Sequence, residues 1–101
     1  MEVTRIETAP GACRLALQGE MNIYTAVQIR DALAEAVRAH GRVELDLGAV
    51  GEMDSAGFQQ IFQAHRACTG AGGEFRIVAM SDAVREVLEL YRHADRLGGG
   101  A

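Results

Sequence analysis

The chain contains no lysine; all ten of its Lys/Arg residues are arginine. That absence removes several mechanisms at once. Phosphate-binding P-loops, Schiff-base enzymes and protein kinases each depend on a lysine ammonium. So does the receiver domain of response regulators, which sets a lysine beside its acceptor aspartate, and Asp54 is therefore not read as such an acceptor. Aromatic residues are scarce: Tyr24, Phe58, Phe62, Phe75 and Tyr91. The core must be built mostly from Leu, Val, Ile and Ala. The two cysteines, Cys13 and Cys68, fall in different predicted elements without metal-ligand spacing, and no secretory signal is read before them. They are expected to be buried, reduced thiols of a cytoplasmic protein. No apolar run approaches the ~20 residues of a membrane span, which argues against direct membrane insertion. A formal charge of −4 argues against nucleic acid as a partner, because phosphate backbones need a basic footprint.

Catalytic apparatus is equally sparse. His40, His65 and His93 share no metal spacing. A relay of Ser55, His65 and Asp54 fails on distance, since His65 lies ~15 Å along the same predicted helix at 1.5 Å rise per residue. The glycines at 70–73 follow a helix rather than precede one, so they do not form a phosphate cradle. The expectation is a protein with no enzymatic activity, no metal and no cofactor.

What remains is a well-patterned α/β chain. Its 101 residues suit one domain with one modest core, expected over 1–97 with a loose Gly-rich tail at 98–101. A short strand at 1–6, a turn at Ala9-Pro10-Gly11-Ala12 and an alternating strand from Cys13 to Gln18 read as a hairpin. Gly19-Glu20-Met21-Asn22 reads as a break. A helix follows, with Ala26, Ile29, Leu33, Ala36, Val37 and His40 on one stripe. Thr25 and Gln28 have capping-box spacing at its start, and Gly41 ends it. A third strand at 43–48 leads to a helix at 56–69, striped by Phe58, Ile61, Phe62, His65 and Cys68 and stopped by Gly70-Ala71-Gly72-Gly73. Phe75, Ile77 and Ala79 mark a fourth strand. Ser81 caps a last helix striped by Val84, Val87, Leu88 and Tyr91. The order is β-β-α-β-α-β-α. Arg14, Gln18, Glu44, Asp46 and Arg76 occupy the alternate strand positions, so one sheet face is covered by helices and the other is not. This predicts a two-layer fold with a small mixed four-stranded sheet.

The most informative segment is Met53-Asp54-Ser55-Ala56-Gly57-Phe58, where the third strand hands over to a helix. Asp54 and Ser55 are both good N-cap residues. Ser55 thus has two readings: a helix cap, or a phospho-acceptor at a helix N-terminus, where free N–H groups and the dipole favour anions.

These residues resemble the STAS domain of anti-sigma factor antagonists over nearly the whole chain. The resemblance rests on Leu17-Gln18-Gly19-Glu20-Met21-Asn22, on Leu45-Asp46-Leu47, and above all on the Asp54-Ser55 turn. It implies a small mixed sheet with helices mainly on one face. It also implies a binding module whose partner is an anti-sigma factor or similar serine kinase. That kinase phosphorylates Ser55 to end the interaction, and a phosphatase restores it. The implied docking surface is the loop from Gly19 to Thr25, with Asn22, Tyr24 and Thr25, and the first turns of the second helix, with Asp54, Ser55, Ala56, Gly57 and Gln59, on a monomer or weak dimer. Asn22 stands where many members carry Asp. Related circuits of chemotaxis or two-component type use the same switch. An alternative within the family is a scaffold subunit of a lipid-transport ABC complex, which binds the ATPase without phosphorylation.

Overall fold

The computed structural model describes residues 1–97, with side chains as far as Arg92; the expected tail at 98–101 lies outside the described residues. The elements are β1 (Glu2–Ala9), β2 (Ala12–Met21), α1 (Ala26–Ala39), β3 (Arg42–Met53), α2 (Ser55–Gly70), β4 (Glu74–Met80) and α3 (Asp82–Leu97). They follow the predicted order. The strands lie in sequence order in one mixed sheet: β1 is antiparallel to β2, while β2–β3 and β3–β4 are parallel.

Alternation decides which face is covered. Cys13, Leu15 and Leu17 of β2 and Val43, Leu45 and Leu47 of β3 are at most 1% exposed. They meet Ile29, Leu33 and Ala36 of α1, Ile61, Ala64 and Cys68 of α2, and Val84 of α3 in one core. Burying a Leu or Ile side chain stabilises by about 1.5–3 kcal/mol. Burial also pushes the Cys13 and Cys68 thiols above their usual range, as suits inert core sulfur. Among the described residues no helix packs on the opposite face. There Arg14 of β2 forks onto Glu44 of β3 at 3.1 Å, directly across the ladder. Such an exposed pair contributes only about 0–1 kcal/mol, so apolar burial on the covered face dominates the energetics.

Several local expectations are corrected. β2 does not break at Gly19 but runs on to Met21, with Gly19 at φ 125 and the β2–β3 register shifting around it. β3 extends to Met53 instead of stopping at residue 48. The capping box at Thr25 and Gln28 is not made: the Gln28 amide instead donates to the Met1 carbonyl oxygen at 3.0 Å. α1 stops at Ala39 with His40 already extended, so Gly41 follows the stop and is not its cause. On α2, Phe62 and His65 are exposed, and the buried stripe is Gly57, Ile61, Ala64 and Cys68. Phe58 turns toward α3, stacking on Tyr91 with ring centroids 3.9 Å apart.

The hairpin turn and the ends of the last two helices match their sequence signals. Ala9 pairs with Ala12 around Pro10 and Gly11, whose φ of 76 is the positive value the turn needs. α2 ends at Gly70. The Ser81 hydroxyl accepts from the Val84 N–H at the start of α3, at 3.3 Å.

Candidate functional site

The candidate residues gather at the C-terminal ends of two adjacent parallel strands. Met21 and Met53, the last residues of β2 and β3, are register partners, and the Asp54 N–H donates to the Met21 carbonyl at 3.0 Å. This bond ties the turn before α1 to the turn before α2.

The first turn is wound around Asn22. Its side-chain Oδ1 accepts from the Tyr24 N–H at 2.9 Å and the Thr25 N–H at 3.2 Å. The Thr25 hydroxyl accepts from the Asn22 N–H at 3.0 Å and lies 2.8 Å from the Glu20 carbonyl, to which it donates. Asn22 and Thr25 therefore hold the loop's shape, and they do so without a charge at position 22. The wound loop pushes Tyr24 outward, where it is 92% exposed; Ile23 and Val27 are exposed beside it. Together the three form an apolar patch.

In the second turn Asp54 is the N-cap. Its backbone is extended, and its Oδ1 accepts from the Gly57 N–H at 3.0 Å. Ser55 is the first helical residue, not the cap, and it is exposed. Among the described residues no hydrogen bond engages its hydroxyl, so the capping reading of Ser55 gives way to that of Asp54. Gln59 is exposed and Ala56 half-buried on the same turn. Gly57 is different: it is buried, and a Cβ built on it would stand 2.6 Å from the Met21 carbonyl oxygen. Its part is to let α2 approach β2, not to offer surface to a partner.

Sequence reading did not bring two acidic residues together, although Glu20 lies in the expected docking loop. Glu20 and Glu52 are register partners on β2 and β3. A hydrogen bond from Glu20, with repulsion from Glu20 and Asp54, raises the Glu52 carboxyl above its ordinary range. Their pairing was missed because β2 and β3 were expected to end before reaching them. Val27 was also missed, whereas Ile23 lies within the expected Gly19–Thr25 loop. The surface depressions along α3 and beside Phe62 are lined by neither Asn22 nor Ser55.

A family model described as "Mlab, STAS domain" matches residues 4–98. Among solved structures, the chain is similar to the anti-sigma factor antagonist SpoIIAA in its unphosphorylated form. That match has a TM-score of 0.75 and 19% identity over 97% of each chain. The Bacillus cell fate determinant SpoIIAA in the phosphorylated form gives a TM-score of 0.73 at 18% identity, over 89% of this chain and 83% of that one. An anti-sigma factor antagonist from Mycobacterium paratuberculosis gives 0.77 at 23% identity, over 94% of this chain and 82% of that one. At these identities the likeness establishes the fold.

Proposed function

The chain belongs to the STAS domain family, and on that premise we propose that it is a non-enzymatic cytoplasmic binding module of the anti-sigma factor antagonist type. Its docking face is the Glu20–Thr25 turn together with the first turn of α2. The partner is an anti-sigma factor or related serine kinase, which phosphorylates Ser55 and so ends the interaction; a phosphatase reverses the step.

The observation that carries this reading is the Ser55 hydroxyl. It is exposed at the first position of α2, while Asp54 does the capping. A kinase can reach it, and among the described residues no hydrogen bond engages it. Phosphate would bring roughly −1.5 to −2 charges there. The helix N-terminus favours the anion by about 0.3–1 kcal/mol, and the nearby carboxylates Asp54 and Glu52 oppose it. These effects oppose each other inside the domain, so the main consequence falls on whatever is docked. A bulky dianion in a protein interface disrupts by repulsion and desolvation.

A second reading has a specific observation in its favour. The matching family model names Mlab and not an anti-sigma factor antagonist. In this reading the same face is a fixed contact, as in a STAS scaffold subunit of a lipid-transport ABC complex, with no phosphorylation.

The test is intact mass after incubation with ATP and a candidate serine kinase, with Ser55→Ala as control. One phosphate on the wild type and none on the variant supports the switch. An unmodified protein that binds a transport ATPase subunit equally well with Ser55→Glu supports the scaffold.

A further inference from the structure

We propose that β1 is a self-association edge: two copies of this chain pair antiparallel through it, in the register that sets Ile6 opposite Ile6. β1 ends the sheet, and only β2 pairs with it. All of its residues but Val3 are exposed, and Ile6 is 59% exposed on the uncovered sheet face. Such an edge presents unpaired main-chain groups to any second strand.

The sequence of β1, Glu2-Val3-Thr4-Arg5-Ile6-Glu7-Thr8-Ala9, selects the partner. Two identical antiparallel strands related by a two-fold axis normal to the sheet place one residue opposite itself. Centring on Glu2, Arg5 or Glu7 opposes like charges. Centring on Val3, Thr4 or Thr8 faces the charges with uncharged residues. Centring on Ile6 faces Arg5 with Glu7 twice, Thr4 with Thr8 twice, and Ile6 with Ile6. Cross-strand pairs of opposite charge stabilise, and like charges destabilise. The strand is thus complementary to itself in this register.

Geometry agrees. Val3, Arg5 and Glu7 pair with Leu17, Leu15 and Cys13, so Arg5 and Glu7 share the helix side, while Ile6 pairs with Arg14 on the uncovered side. A two-fold normal to the sheet keeps these faces matched and yields one continuous sheet across both copies. The irregularity between Glu7 and Ala9 confines the regular ladder to its centre. The contact is therefore short, well below the ~1,200 Å² of a stable interface, and the dimer is weak. Arg14, which pairs with Ile6, lies near the start of β2, and Met21, beside the Ser55 turn, lies at its end. Self-association and docking at Ser55 are separate.

Sedimentation velocity of the full chain over a rising concentration series tests this. The wild type shows a concentration-dependent dimer. Arg5→Glu and Glu7→Arg each weaken it by about tenfold or more, since two attractive pairs become two repulsive ones. The exchange Arg5→Glu/Glu7→Arg restores it to near the wild-type level. Arg5 also meets Glu35 of α1 at 3.4 Å, so Glu35→Gln serves as control and keeps the dimer. A monomer at every concentration, single reversals without effect, or failure of the double exchange to restore association would each overturn the proposal. Far-UV circular dichroism confirms that every variant compared is folded.

Discussion

Gly57 of α2 lies so close to Met21 of β2 that a methyl group on its α-carbon would sit 2.6 Å from the Met21 carbonyl oxygen. This contact sets the helix start against the strand end and so fixes where Ser55 emerges. Gly57→Ala is expected to destabilise the protein. Overpacking against backbone costs about 1–3 kcal/mol, while alanine returns about 1 kcal/mol through helix propensity; the clash wins. A urea denaturation series checks the sign. Gly51→Ala, with open space around its α-carbon, should stay within about 0.5 kcal/mol of wild type. If Gly57→Ala is as stable as Gly51→Ala, the close approach has been overstated.

The division of labour between Asp54 and Ser55 can be measured directly. Asp54→Ala removes the cap on Gly57 and should cost about 1 kcal/mol, within a range of 0.5–2. Ser55→Ala should change stability by less than about 0.5 kcal/mol, because among the described residues no hydrogen bond engages that hydroxyl. Equal losses in thermal denaturation for the two variants would show that Ser55 has a structural task.

Phe58 and Tyr91 join α2 to α3 three residues past Ser55 on the chain. Their stacked rings should show a coupling of about 0.5–1.5 kcal/mol in a double-mutant cycle of Phe58→Ala and Tyr91→Ala. Additive losses would mean that the stack contributes only its buried area.

Glu52 gives the fold a pH dependence of known sign. Its carboxyl is raised above the ordinary 4.5 by Glu20 and Asp54, so the folded chain holds that proton more tightly than the unfolded chain does. This contribution to stability is complete below 4.5 and is lost as pH rises through the raised value. At neutral pH the ionised Glu20–Glu52 pair is a liability. Glu52→Gln should therefore raise the melting temperature at pH 7, and the gain should vanish near pH ~4 and shrink in high salt. A gain that is the same at both pH values would point to a cause other than charge.

Much of the fold was legible because burial follows alternation. Val43, Leu45 and Leu47 gave the covered face, and Arg14, Glu44 and Asp46 gave the open one. The strand ends were not legible. Gly48, Ala49 and Gly51 carry little intrinsic strand preference, yet β3 continues through them because Gln18, Gly19 and Glu20 of β2 pair alongside. That pairing is tertiary and leaves no local trace. The capping box failed for a related reason: Gln28 found the Met1 carbonyl, which is remote in sequence. At the site, the hinge and Ser55 were legible from residue type and position. The roles of Asp54 as cap and Gly57 as spacer needed coordinates, because either Asp54 or Ser55 satisfies the sequence rule for a cap.

The central claim is that the exposed Ser55 hydroxyl controls docking without supporting the fold. It is tested most directly by titrating one partner, the anti-sigma factor or serine kinase that binds the wild type, against unmodified and stoichiometrically Ser55-phosphorylated protein. Circular dichroism is recorded on both forms. The account predicts an affinity loss of about tenfold or more, as removing ~1.4 kcal/mol from an interface would give, with unchanged secondary structure. Equal affinities, or a loss of affinity accompanied by loss of fold, would contradict it.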